Sequence, residues 1–248
     1  MKECNGIINA FETFGLVDGP GVRFVIFLQG CNMRCKYCHN PETWNIQNND
    51  SIIMSAEEVF KKAYKYHYYW GENNSNGGIT VSGGEPLLQL DFLIDLFSIA
   101  KKNNISCVID TSGQPFNNEE VYLEKFNKLM NLTDLFIIDL KAYNKNLHKQ
   151  LTGKSNKNIL DLMSYLSSNN KKMWIRRVLV PGLTDSEDDL INTKKFINNL
   201  NNVEKIEVLP YHNLAIQKYN KLNIKYPLLN CRVPTEKEIK KAEEILCI

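Results

Sequence analysis

The sequence predicts an α/β protein whose strands lie parallel, and three observations carry that prediction. Six compact apolar runs recur along the chain, at 22–28, 79–81, 105–109, 135–140, 173–180 and 206–209. The segments between them have helical spacing, as in Val59, Phe60, Ala63 and His67, or Leu93, Leu96, Phe97 and Ala100. Strands that alternate with helices imply crossover connections, and these make a parallel sheet. Near-continuous runs such as Leu135-Phe136-Ile137-Ile138 suit strands covered on both faces. Six such units form either an open doubly wound sheet or an incomplete barrel, and periodicity does not choose between them.

Helix starts are marked by three pairs with the spacing of a capping box, Ser55 with Glu58, Thr184 with Glu187 and Thr235 with Glu238. Asparagine pairs at 48–49, 103–104 and 201–202 fall between apolar segments, as turns and helix ends. No repeat and no Pro- or Gly-rich linker divides the chain, so one domain over 1–248 is expected. The aromatic group Tyr64, Tyr66, His67, Tyr68, Tyr69 and Trp70 is expected to pack at a helix end, because no basic groove accompanies it.

Composition narrows the classes. The 30 Lys and Arg nearly balance the 28 Asp and Glu, for a formal charge of +2, so neither nucleic acid nor an anionic membrane surface is an expected partner. The first residues lack the basic segment and apolar run of a signal peptide, and nowhere are eighteen apolar residues consecutive, which predicts a cytoplasmic protein, expected to be a monomer. Seven cysteines, three of them within eight positions, suit metal chemistry better than a disulfide framework. Cys4, Cys107, Cys231 and Cys247 have no ligand spacing and are expected to be ordinary thiols.

The three crowded cysteines lie in Gly30-Cys31-Asn32-Met33-Arg34-Cys35-Lys36-Tyr37-Cys38-His39-Asn40, directly after the first run. A structural zinc site usually draws four ligands from two separated pairs; here only His39 is at hand as a fourth, and zinc stays open on that basis. Iron–sulfur clusters are usually held by four thiolates, so three in one loop would leave one iron open to a small molecule. Parallel α/β folds gather their sites at the carboxyl ends of the strands. After the second run comes Ser82-Gly83-Gly84-Glu85-Pro86, after the third Asp110-Thr111-Ser112-Gly113, at the fourth Asp139-Leu140-Lys141, and after the sixth Tyr211-His212.

Cys-x-x-x-Cys-x-x-Cys at 31, 35 and 38, followed by Gly83-Gly84-Glu85-Pro86, resembles the radical S-adenosylmethionine (SAM) superfamily. The resemblance implies a partial TIM-like (β/α)6 barrel, one [4Fe-4S] cluster on Cys31, Cys35 and Cys38, and SAM. Val17-Asp18-Gly19-Pro20-Gly21-Val22-Arg23, Tyr37-Cys38-His39-Asn40, Trp174-Ile175-Arg176, Val180-Pro181-Gly182 and Leu209-Pro210-Tyr211-His212 are similar, nearly end to end, to the activases of glycyl radical enzymes. The lack of a cysteine-rich, ferredoxin-like insert favours the type that activates pyruvate formate-lyase.

What this implies for single residues is specific. Gly83 and Gly84 would let backbone approach the cofactor's amino group, with Glu85 assisting or capping the next helix. Asp139, Leu140 and Lys141 would lie against its ribose and carboxylate. Tyr37, His39 and Asn40 would line the adenine side, with His212 as a further contact. Of Arg176 and Arg177, which point to opposite faces of a strand, Arg176 is expected to meet the cofactor and Arg177 the helices. Asp110, with Thr111, would sit beside the cofactor; carboxylates at Asp110 and Asp139 would repel, so a monovalent cation is expected near Asp110, Thr111 and Asp139. The implied partners are pyruvate formate-lyase, whose glycine is the hydrogen donor, and reduced flavodoxin or ferredoxin as electron source. Asp18-Gly19-Pro20-Gly21 would help form the peptide entrance. The competing readings are an activase of another glycyl radical enzyme, a radical enzyme acting on a small molecule, and a noncatalytic iron–sulfur or zinc protein for electron transfer or structure.

Overall fold

The structure, a computed structural model, describes residues 4–246; Cys247 lies outside the described residues. Eight strands follow the order β3-β1-β2-β4-β5-β6-β7-β8 in an open sheet, with β3 and β8 at its ends. Six are the expected runs: β2 (Val22–Leu28), β4 (Gly77–Gly83), β5 (Ser106–Thr111), β6 (Leu135–Asp139), β7 (Met173–Leu179) and β8 (Val203–Pro210). β2 pairs with β4, β4 with β5, and β7 with β8, all parallel. The expected incomplete barrel is thus met by an α/β sheet that does not close.

Two strands were not expected, β1 (Asn5–Gly15) and β3 (Ile52–Ser55), and both pair antiparallel, β1 with β2 and β3 with β1. The physical reason is exposure: β1 mixes exposed and buried positions and carries Asn9 and Glu12 among its apolar residues, so it lacks the continuous run of a doubly covered strand. β3 is four residues long and half exposed.

The chain forms two compact units, one of residues 1–31 and 43–137, the other of 32–42 and 138–248. In the first, α2 (Leu90–Lys102) buries Phe92, Leu93, Leu96, Phe97 and Ala100, and α3 (Glu120–Leu132) buries Phe126, Leu129 and Met130. α1 (Ala56–Tyr64) begins with the Ser55–Glu58 capping box and buries Val59, Phe60 and Ala63, while His67 falls outside it in a short 3-10 turn. Of the aromatic group, Trp70 is fully buried but Tyr68 is 83% exposed, so only part of it packs.

The second unit contains α4 (Lys145–Thr152), α5 (Lys157–Ser168), α6 (Glu187–Ile197), α7 (Ile216–Lys221) and α8 (Glu236–Leu246). Thr235 and Glu238 make the expected box before α8. Thr184 does not: its hydroxyl donates to the carbonyl of Val178 at 2.6 Å and accepts from Val180 N at 2.7 Å, tying the loop after β7, and α6 starts from Ser186 without a side-chain cap. Asparagine does serve as turn residue: the six described non-glycine residues with positive φ are all Asn, Asn104 and Asn202 among them. No helix among the described residues is long and apolar enough to cross a membrane.

Candidate active site

The expected site residues are divided between the units. The first holds Cys31, Gly83, Gly84, Glu85, Asp110 and Thr111; the second holds Cys35, Tyr37, Cys38, His39, Asn40, Asp139, Leu140, Lys141, Arg176 and His212.

In the first unit the turn after β4 is folded against the segment that leads into Cys31. Gly84 N donates to Leu28 O at 2.9 Å, and Glu85 N to Gly30 O at 2.8 Å. Gly83 has φ of +113°, and a Cβ on Gly84 would stand 2.2 Å from the carbonyl oxygen of Gly30. Gly84→Ala is therefore expected to displace the backbone beside Cys31 and to cost about 1–3 kcal/mol, read from chemical denaturation. An unchanged midpoint would show that the turn yields freely.

Glu85 is fully buried. Its carboxylate accepts from Thr111 Oγ1 at 2.5 Å, from Ser112 Oγ at 2.5 Å and N at 3.0 Å, and from Leu87 N at 3.1 Å. Burial pushes its pKa up, and those four donors oppose the rise. The side chain thus caps the 3-10 turn Pro86–Gln89 and also binds that turn to the end of β5. Ser82 Oγ donates to Asp110 Oδ2 at 2.8 Å.

Upstream, Arg23 is 1% exposed, and its guanidinium donates to Thr80 Oγ1 and to the carbonyls of Ile79 and Ser106. Burial lowers its pKa to about 10. Thr80 Oγ1 in turn donates to Asp18 O at 2.7 Å, so the Asp18–Gly21 turn is pinned from beneath.

In the second unit the cysteine loop is pinned by a helix end. Arg34 N donates to Thr152 O and Lys36 N to Leu151 O, both at 2.9 Å. These carbonyls belong to the last turn of α4, where no intrahelical partner exists for them. Cys35 is buried and Cys38 half-buried. Tyr37 is 5% exposed, with Lys141 Nζ 5.7 Å from its ring centre. Lys141 Nζ donates to Asp139 Oδ2 at 2.7 Å. Burial opposes the lysine's charge, but Asp139, with Tyr37 and Cys35 nearby, more than reverses this and holds its pKa well above the ordinary value. That ion pair supplies charge compensation at Asp139 from within the protein. Leu140 is buried, and its N–H donates to Arg176 O.

Arg176 and Arg177 diverge as successive strand residues must. Arg177 donates to Asp189 Oδ2 at 2.7 Å and to Thr193 of α6, whereas Arg176 Nε donates to Glu207 Oε2 on β8 at 2.8 Å. After the cysteines, the His39 and His212 rings lie 4.0 Å apart, edge to face, and burial with the neighbouring His212 lowers the His39 pKa. Lys218 Nζ on α7 donates to Asn40 Oδ1 and Glu42 Oε1. Cys107 is buried, its thiol pushed up to about 12 by burial, which keeps it protonated and unreactive.

Among the described residues no three His, Cys, Asp or Glu side chains converge as a site for a single metal ion. A cluster makes a different demand, since it brings its own inorganic core and needs thiolates around it rather than at one point. Cys31, Cys35 and Cys38 are not in disulfides, and the backbone between them is hydrogen-bonded in place. That donor set fits an iron–sulfur cluster.

A family model for the radical SAM superfamily matches residues 25–193. The chain belongs to the radical SAM superfamily. Membership implies a [4Fe-4S] cluster and SAM as cofactors. Over 245 residues this radical SAM chain is 48% identical to the pyruvate formate-lyase-activating enzyme of Streptococcus mutans, covering 99% of this chain and 92% of the relative. It is 44% identical over 246 residues to that of Listeria monocytogenes, covering 99% and 98%. A solved domain of the pyruvate formate-lyase-activating enzyme from Bacteroides vulgatus superposes with a TM-score of 0.56 at 25% identity, covering 69% of this chain and 94% of that one.

Three residues that sequence reasoning passed over organise this unit: His148, Asn156 and Asp189. Asp189 accepts from Arg177 and from the backbone amides of Tyr143 and Asn144, and Asn156 Nδ2 donates to the carbonyls of Ala142 and Tyr143. Their only sequence signal is a polar residue within a helix, or, for Asn156, just before one.

Proposed function

We propose that the chain, as one radical SAM domain, activates pyruvate formate-lyase by generating a glycyl radical on it. The observation that carries this is the near-full-length identity to activating enzymes, joined to a three-thiol loop whose donor set fits the cluster. In this reading Cys31, Cys35 and Cys38 hold one [4Fe-4S] cluster. When bound and reduced by flavodoxin or ferredoxin, cluster and SAM together supply a 5′-deoxyadenosyl radical that takes hydrogen from a backbone glycine of the partner.

The chain's own part is binding and orientation. Gly83 and Gly84 offer backbone without a Cβ to the cofactor's amino group, and Glu85 holds that turn rigid. Lys141 offers its ammonium to the carboxylate, with Asp139 and Leu140 along the ribose. Tyr37, His39 and Asn40 contact the adenine side, His212 is a further cofactor contact, and Arg176 meets the cofactor's charged end. A cytoplasmic location belongs to the same proposal, as does a monovalent cation at Asp110, Thr111 and Asp139. Activity unchanged when sodium and potassium are replaced by a bulky organic cation removes the cation.

The test is anaerobic reconstitution with iron and sulfide, reduction, and addition of SAM with pyruvate formate-lyase. The expected result is 5′-deoxyadenosine together with a glycyl-radical EPR doublet on the partner. Cofactor cleavage without that signal removes the activase reading, and no cleavage after reduction removes radical chemistry.

A further inference from the structure

Helix α4 has an unusual duty at its C-terminus. Its last carbonyls, at Leu151 and Thr152, receive the amides of Lys36 and Arg34, the residues on either side of Cys35. Helix ends fray unless capped, and this one is held in two ways. Gly153 adopts the left-handed conformation, with φ of 78°, and its N–H returns to Lys149 O. The second restraint is His148, which is fully buried. Its Nδ1 lies 2.9 Å from the carbonyl oxygen of Lys154 and 3.2 Å from Thr152 Oγ1. A carbonyl only accepts, so Nδ1 carries the proton.

The hydroxyl of Thr152 joins the same knot, donating to His148 O at 2.8 Å and accepting from Lys154 N at 3.1 Å. The histidine's other nitrogen, Nε2, is buried and meets no hydrogen-bond partner among the described residues. An imidazole is a poor choice there on packing grounds alone, because an apolar ring would fill the space without stranding a lone pair. What the imidazole contributes is the Nδ1 bond.

We propose that His148 is a positioning residue for the cluster loop: by tying the chain after α4 back onto its final turn, it fixes the carbonyls that hold Arg34 and Lys36. The direction of Cys35, and of Cys38, whose N–H donates to Cys35 O at 3.0 Å, follows from that backbone. This inference rests on the reading that Cys35 and Cys38 are cluster ligands. It resembles, at one remove, the way residues behind a metal ligand set its orientation.

The test uses the reconstituted holoenzyme and reads the anaerobic rate of iron loss to a chelator, with the EPR spectrum of the reduced cluster alongside. His148→Phe keeps the bulk and removes the donor; His148→Asn keeps a donor at the δ position. Leu129→Ala, in α3 of the other unit, is the control for general destabilisation. Iron loss from His148→Phe is expected to be about tenfold faster, at the lower end of the range for residues that orient ligands, with an altered EPR line shape. His148→Asn should restore both towards wild type, and Leu129→Ala should lower the melting temperature without moving either. Should His148→Phe not fold, His148→Leu, which also lacks the donor, takes its place against His148→Asn. Wild-type iron loss and EPR in the donor-less variant, or equal acceleration in Leu129→Ala, overturns the proposal alone. A wild-type chain that assembles no cluster overturns the ligand assignment and the proposal with it.

Discussion

Replacing any one of Cys31, Cys35 and Cys38 by alanine is expected to abolish the intact cluster and with it all cleavage of SAM. The expectation is all-or-none because the loop has no spare thiol. Iron–sulfur cubes are commonly held by four thiolates, and in the proposed reading three suffice because one iron is left for the cofactor. Removing a second corner leaves the cube on two thiolates. Among the described residues the remaining cysteines offer no substitute by their chemistry: Cys107 is buried with its thiol pushed up to about 12, and burial likewise raises Cys4 and Cys231. Iron and sulfide per chain, the visible absorbance of the reconstituted protein, and 5′-deoxyadenosine formation check it together. Full cluster content and activity in any one of the three variants would refute the ligand assignment.

The largest expected loss of stability comes from a residue far less conspicuous in the sequence. Asp189→Ala is expected to cost about 3–5 kcal/mol, because it leaves the guanidinium of Arg177 buried without its partner. The two side chains are 4% and 1% exposed, so water has little access to compensate. Three donors lose their acceptor at once, since Asp189 also receives the amides of Tyr143 and Asn144. For a chain of this size the corresponding fall in melting temperature is about 6–20 °C. Removing both charges, as in Arg177→Met with Asp189→Leu, should be less harmful than Asp189→Ala alone, because an unpaired buried charge costs more than a missing pair. Equal melting temperatures for Asp189→Ala and the unaltered chain would show that the pair contributes nothing.

Asp189 also bears on the cysteine loop. It holds Asn144, whose Oδ1 accepts from Asn146 N and Leu147 N as the N-cap of α4. The same helix ends on the carbonyls that receive the loop amides, so both ends of α4 are fixed by buried polar groups. Asn156 reinforces the first end through two carbonyls of the preceding segment.

Much of the architecture was legible because it rests on local patterns. The six parallel strands announced themselves as continuous apolar runs, since burial on both faces removes polar residues from them. The caps at Ser55 and Thr235 were readable because a hydroxyl and a carboxylate three residues apart have one simple use at a helix start. Thr184 has the same spacing to Glu187 and a different fate. Its hydroxyl is drawn to Val178 and Val180, a choice made by the fold of the loop and invisible in the spacing. β1 escaped notice for the opposite reason: a strand with partly exposed positions keeps its polar residues and resembles a loop.

By itself the sequence supplied three thiols in eight residues and a paired-glycine turn; their spacing left zinc open, and the class of chemistry came from the family that the two motifs together resemble. It also settled that Arg176 and Arg177 point apart, a consequence of strand geometry alone. Only the tertiary structure decided what each group touches. It made Glu85 a buried brace rather than a simple cap, gave Asp139 its lysine and Arg177 its aspartate, and set His148 behind the cysteine loop. The reason is physical: a hydrogen bond joins residues tens of positions apart only after packing has excluded water from both, and no local pattern records which of them will meet.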